Sequence, residues 1–186
     1  MQTKSHLSVL IHKQAEKYGN KVALTYKSFG STQWSSVSWN EFSLRVKQVS
    51  NAFLYFNLQP QDKIAVFAQN CLPYFYTDFG AYGVQLISVP LYATSSEQQI
   101  QYIINDADIR ILFIGEQEQY DKAYRVISRC PSLAQLIVFD ESVTLAKEDQ
   151  KTLYFKEFLK LGEDLKHQKE VETLYASACE DMLCNI

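Results

Sequence analysis

A chain of 186 residues with 47% hydrophobic content is long enough to bury a core of its own as one globular unit. Charged content of 21%, aromatic content of 13%, and only 6 Gly and 4 Pro exclude a disordered or low-complexity chain. The formal charge of −3 comes from 18 basic residues scattered among 21 acidic ones, so the chain lacks the electropositive stripe that nucleic acid requires, and nucleic acid is not an expected partner.

In chain order, Leu7, Leu10, Ile11 and Tyr18 predict an amphipathic first helix, stopped by Gly19 and Asn20. The apolar run at residues 7–11 ends at His12 and Lys13 and is too brief for a signal-peptide core, which makes a cytoplasmic location the expectation. Val22, Leu24 and Tyr26 alternate, a loop containing Gly30 follows, and residues 34–38 return as the second arm of a β-hairpin. Ser38 and Glu41 then form a capping-box pattern. After it Trp39, Phe42, Val46, Val49, Phe53 and Phe56 recur at steps of three and four, predicting a helix with one buried face. Pro60, Gln61 and Asp62 turn the chain.

From Lys63 a strict alternation begins: IAVFA, a helix over about 73–85, LISV, a helix over about 96–106, IRILFI, a helix over about 117–129, and LIVF. Short strands that are apolar on both faces belong to a parallel sheet covered by helices on both sides. The predicted fold is α/β, an open and mostly parallel sheet preceded by a helix and a hairpin. Residues 71–92 have about membrane length and a single charge, Asp78, but they also contain Pro73, Pro90 and two glycines. They read as a buried helix followed by a buried strand, and no transmembrane segment is expected. Gly80 and Gly83 are expected to allow close packing of that helix on the sheet. Beyond Asp140 the pattern loosens, dividing the chain into an α/β unit over 1–140 and a connecting segment over 141–186 that ends in a strand.

Ligands of such sheets bind at the carboxyl ends of the strands. Those ends here carry Gln69, Asn70 and Cys71, the loop from Pro90 to Ser96, and Gly115, Glu116 and Gln117. None is a Gly-rich phosphate cradle, and the aspartate pair of a phospho-receiver is missing. The hydroxyl run Thr94, Ser95 and Ser96 reads first as a cap for the helix that follows. Cys71, Cys130, Cys179 and Cys184 make no C-x-x-C pair or Cys/His cluster, and His6, His12 and His167 are spaced for neither a metal nor a triad. No metal ligands and no catalytic residues are therefore expected within the chain.

Read together, these segments resemble the N-terminal signature of the adenylate-forming acyl-CoA synthetase family. The resemblance rests on Trp39 with Glu41 opening a helix, Gln61 with Asp62 in the turn before a strand, and Asn70 after that strand. It rests also on the V-P-L-Y loop at residues 89–92 and on Asn105 with Asp106 closing a helix. It spans residues 22–139 well and continues more weakly to the end. Two departures stand out: the family's usual glycine in the turn is Gln61, and the glycine expected shortly before the V-P pair is replaced around Gln85 and Leu86. The LYATSS wording looks most like the long-chain fatty-acid branch.

The resemblance implies a parent enzyme that joins a fatty acid to coenzyme A, using ATP and Mg2+ through an acyl-adenylate. The family's Ser/Thr/Gly-rich loop with its lysine, its later nucleotide and metal motifs and its C-terminal lysine have no counterpart in these residues, so the chain alone is expected to be inactive. Residues 181–186 resemble the strand leading into that loop. By the same resemblance, Thr94 and Ser95 lie where the pantetheine arm of coenzyme A approaches. A parent enzyme peripheral to a membrane and self-association through uncovered apolar surface are further expectations. The alternative is a stand-alone, non-catalytic α/β binding or interaction module derived from this fold.

Overall fold

The computed structural model describes residues 6–186. A 3-10 turn over Leu7–Val9 leads into α1, Leu10–Tyr18, which Gly19 ends in a positive-φ conformation (φ 55°). The hairpin strands β1, Val22–Tyr26, and β2, Ser35–Ser38, pair antiparallel with a bulge between Val22 and Leu24. Helix α2, Trp39–Phe53, starts at the expected capping box: Ser38 Oγ accepts from the Glu41 N–H, and the Glu41 carboxylate accepts from the Ser38 N–H at 2.8 Å.

The alternation expected from Lys63 onward is present. It runs β3, Lys63–Phe67; α3, Leu72–Gly83; β4, Ile87–Leu91; α4, Glu97–Asp106; β5, Ile109–Ile114; α5, Gln117–Val126; and β6, Gln135–Val138. The segment read from the sequence as a connection contains a further strand, β7, Thr152–Tyr154, and two helices, α6, Phe155–Leu161, and α7, Gln168–Ser177. β7 pairs parallel with β6, so the sheet has five parallel strands in the order β4-β3-β5-β6-β7. A strand of three half-buried residues gives no periodicity to read, which is why it passed for loop.

Side chains of α5 hold the stretch between β6 and β7 in place. Gln117 exchanges two hydrogen bonds with the backbone of Thr144, and the Tyr120 hydroxyl donates to Asp149 at 2.7 Å while accepting from the Ala146 N–H.

Two apolar clusters fill the two faces of the sheet. One joins α2, α3 and α6 to the hairpin and is rich in rings: Phe53, Phe113 and Phe158 lie within 5.3–5.8 Å of one another by centroid. The other packs α4 and α5 on the opposite face, mainly with Ile, Leu and Val. The close approach credited to the glycines of α3 is made to other helices rather than to the sheet. A Cβ at Gly80 would collide with Val49 of α2, and one at Gly83 would collide with the hydroxyls of Ser50 and Tyr175. Gly162, after α6, lies against the backbone of Gln48 and Ala52 with no room for a side chain.

The last residues begin a pairing at the β4 edge. Asn185 bridges to Ser88 in the parallel sense, the Ser88 N–H donates to the Cys184 carbonyl at 2.8 Å, and the Ile186 N–H donates to the Ser88 carbonyl at 3.3 Å. Gln61 and Gln85, the two positions singled out as glycine replacements, both adopt left-handed backbone, with φ 69° and φ 61°. Their side-chain amides offset the strain by holding the end of the chain. Gln85 Nε2 donates to the Leu174 carbonyl at 2.6 Å and to Ser177 Oγ at 2.7 Å, and Gln61 exchanges hydrogen bonds with the backbone of Leu183.

Candidate functional site

Strand order reverses between β3 and β5, and the chain leaves β3 for the face of α3 but leaves β5 for the face of α5. Loops that diverge in this way open a crevice at the carboxyl edge, where doubly wound sheets take their ligands. Its floor is closed here. Gly115 is buried, and a Cβ on it would stand 3.0 Å from Ala68 Cβ, so a side chain there would push the β3 and β5 ends apart by a few tenths of an ångström.

Above this floor Gln119 spans two loops. Its Oε1 accepts from the Glu116 N–H at 3.0 Å and its Nε2 donates to the Ala93 carbonyl at 3.1 Å. The side chain is buried and fixes the β4–α4 loop relative to the β5–α5 loop. Residue type does not mark Gln119 for this, because a glutamine in the first turn of a charged helix reads as a solvated residue. The one available signal was its place three residues after Glu116, which the structure shows to be a capping box.

The loop carrying the predicted contacts, residues 92–96, turns tightly, with the Ser95 N–H donating to the Tyr92 carbonyl at 2.9 Å. Thr94 faces solvent, whereas Ser95 is buried beside the turn. The expected cap is formed by Ser96: its Oγ accepts from the Gln99 N–H, and the Gln99 side chain accepts from the Ser96 N–H. Capping therefore occupies Ser96 and leaves the Thr94 hydroxyl at the surface. Tyr92, at the head of the same loop, is 86% exposed.

On the α3 side, Asp78 is the one charge of the buried helix-and-strand segment. It accepts a hydrogen bond from the Ser88 hydroxyl at 2.7 Å, and burial pushes its carboxyl up to about 6 against the opposing pull of that bond. Tyr82 is near enough for the Asp78 charge to reinforce the effect of burial in raising its phenol. Beneath α1, His12 joins three helices: Nδ1 meets Ser43 Oγ of α2 at 2.7 Å and Nε2 meets the Tyr175 hydroxyl of α7 at 2.8 Å. Burial, helped by the charge of Lys47, holds the imidazole down to about 4, so the ring is neutral and serves one partner as donor and the other as acceptor. Cys184 Sγ lies 3.1 Å from His6 Nε2, and burial raises that thiol, so the pair is a neutral contact and not an activated nucleophile.

Between the hairpin and the β3–α3 connection lies a cavity of about 350 Å³. Among the described residues no group of three or more His, Cys, Asp or Glu gathers to hold a metal ion. No chemical step is assigned to these residues.

An open parallel sheet with helices on both faces and a hairpin at its side is an α/β fold that solved ligases share. An anthranilate CoA ligase, AuaEII, in complex with anthranoyl-AMP matches with TM-score 0.73 and 16% identity over 86% of this chain and 29% of its own. A coronafacic acid ligase from Pectobacterium brasiliense matches equally well, over 30% of its length. The sequence profile described as AMP-binding enzyme matches residues 11–178, and the chain belongs to that family.

Among curated relatives, the long-chain-fatty-acid–CoA ligase ACSBG2 of Xenopus laevis is 24% identical over 178 residues, 95% of this chain. The long-chain-fatty-acid–CoA ligase ACSBG1 of Homo sapiens is 23% identical over 156 residues, 84% of this chain. The chain spans less than a quarter of either relative, 23% and 21% of their lengths.

Proposed function

We propose that these residues form the N-terminal α/β portion of an AMP-forming ligase that activates a long-chain fatty acid with ATP and Mg2+ and transfers the acyl group to coenzyme A. The observation that supports this reading best is the extent of the family match, residues 11–178, together with long-chain fatty-acid ligases as relatives over nearly the whole chain. In this reading residues 141–186 lead from the sheet toward the nucleotide loop, and the carboxyl edge of β4 is the side on which acyl transfer takes place. The scaffold contributes position rather than chemistry: adenylation needs phosphoryl charge stabilised by preorganised donors, and those belong to the rest of the ligase.

Thr94 and Ser95 are proposed to contact the pantetheine arm of coenzyme A, with solvent-facing Thr94 the more available of the two. The enzyme is proposed to work in the cytoplasm. No helix among the described residues is long and apolar enough to cross a membrane.

Fatty-acid-dependent exchange of pyrophosphate into ATP tests the reading. Exchange is expected from a chain extended in frame past Ile186 and not from the 186-residue chain. No exchange from the extended chain would overturn the ligase assignment, and exchange from the short chain would mean that catalytic residues lie within it. In the active extended chain, Thr94→Ala with Ser95→Ala should raise the KM for coenzyme A several-fold while leaving pyrophosphate exchange unchanged. An unchanged KM removes the contact.

A further inference from the structure

We propose that the cavity between the β1–β2 hairpin and the start of α3 is a binding site for a small amphiphile with a carboxylate head. The inference assigns a site to residues that the ligase reading does not use, and it stands whether or not that reading holds.

Most of the lining is apolar. Leu24 and Tyr26 of β1 face Leu72 and Phe75 of α3 across about 350 Å³, a volume that holds about a dozen water-sized groups. That suits a medium-length acyl chain or an aromatic ring and is far too small for a folded partner. Two of the lining rings are left in water: Trp34 is 69% exposed and Phe75 38% exposed. Aromatic surface of this kind, gathered around a concavity, gains by being covered.

Charge selects the head group. Among the described residues that line the cavity, Lys27 is the one with a formal charge, and its Nζ lies 5.0 Å from the centre of the Trp34 ring. The ammonium is thereby held beside the opening and not dispersed in solvent. Cys71, on the opposite wall, brings no competing anion, because burial pushes its thiol up to about 12, reinforced by the charge of Glu116. Exposed Asn70 adds an amide that can donate to a carboxylate oxygen. A cationic amphiphile would meet Lys27 on the wall, with Glu116 acting only from beyond the lining, and a simple anion would leave the apolar walls in water.

The test follows the indole N–H resonances of Trp34 and Trp39 in the intact protein during titration with decanoate below its micellar concentration. Acetate and decyltrimethylammonium serve as head-only and charge-reversed controls. Decanoate is expected to shift Trp34 saturably while Trp39, packed against Phe42 and Tyr18, stays still. Both controls should bind at least tenfold more weakly.

Lys27→Gln should weaken decanoate three- to fivefold, as suits an exposed ion pair. Phe75→Ala removes a partly exposed wall of the cavity and should weaken decanoate at least fivefold with the melting temperature little changed; Leu24→Gln, on the facing wall, serves if that variant does not fold. Equal response to the cationic amphiphile, undiminished binding by the folded cavity variants, or no response at all would overturn the proposal. A Trp34 shift that follows protein concentration alone would overturn it too, by showing a second copy in the pocket.

Discussion

Helices α2 and α7 lie on the same face of the sheet and are held there by different forces. Nine residues of α2 are buried, Gly80 and Gly162 let neighbouring elements touch it closely, and the phenylalanine cluster seals it to the sheet. Helix α7 buries Val171 alone, and side-chain hydrogen bonds do much of the rest: Tyr175 to His12, Asn51 Nδ2 to Gln168 at 3.0 Å, and Gln85 to Leu174 and Ser177. Apolar packing is non-directional and tolerant of pH, whereas a polar attachment is specific and responds to a single proton or amide. The part of the chain that builds the sheet is thus fixed firmly, and the part that pairs along its β4 edge is fixed conditionally.

The largest expected effect lies on the α2 side. Phe158→Ala removes a fully buried ring shared by Phe53, Phe56, Phe113 and Phe155 and should cost about 3–5 kcal/mol in urea unfolding. A cost below about 1 kcal/mol would show that this face is not the tightly packed one.

Proton linkage gives an intermediate effect on the α7 side. The unfolded chain protonates His12 near 6.5 and the folded chain near 4, so stability contributed by the neutral ring is full above pH 6.5 and is lost as pH falls toward 4. Asp78 works in the opposite direction. Its folded carboxyl takes a proton near 6 and its unfolded one near 3.8, so it costs stability as pH rises through that interval. In the native chain the two offset each other. Every other pH dependence, that of Asp78 included, is common to both proteins, so His12→Gln should gain on the native chain by about 2 kcal/mol between pH 7.5 and pH 4.5. Parallel urea midpoints for the two proteins would contradict the His12 assignment.

The smallest global effect is expected from Gln85→Gly. It relieves a left-handed residue, worth about 1 kcal/mol, and loses two side-chain hydrogen bonds of about 1 kcal/mol each, for a net destabilisation of about 1 kcal/mol in urea unfolding. A stabilised variant would mean that the amide holds nothing.

The same contrast explains what the sequence could disclose. Runs such as IAVFA and IRILFI are apolar on both faces and flanked by turn residues, so buried parallel strands and their helices could be placed from periodicity alone. Capping boxes at Ser38 and Ser96 could be read because their chemistry is local. β7 could not, since three half-buried residues become a strand only by pairing with β6. Gln61 and Gln85 were visible as departures from glycine, but their left-handed backbone and their hold on residues 174–183 depend on partners about 90–120 residues away. At the carboxyl edge, the hydroxyl run at 94–96 was visible as a cap, yet which of its members caps and which faces water was decided by the turn at Tyr92 and by Gln119.

Native-state hydrogen exchange resolved by residue tests the division between firm and conditional attachment most directly. Amides of α2 and β3 should exchange only through global unfolding at both pH 7.5 and pH 5. Amides of α7 should exchange through a partial opening at least tenfold more frequent, favoured further at pH 5, where His12 is protonated in the opened state, and in Gln85→Gly at either pH. If α7 shows the same protection as α2 in the native chain and both hold it at pH 5, the end of this chain is packed as firmly as its sheet and the account is wrong.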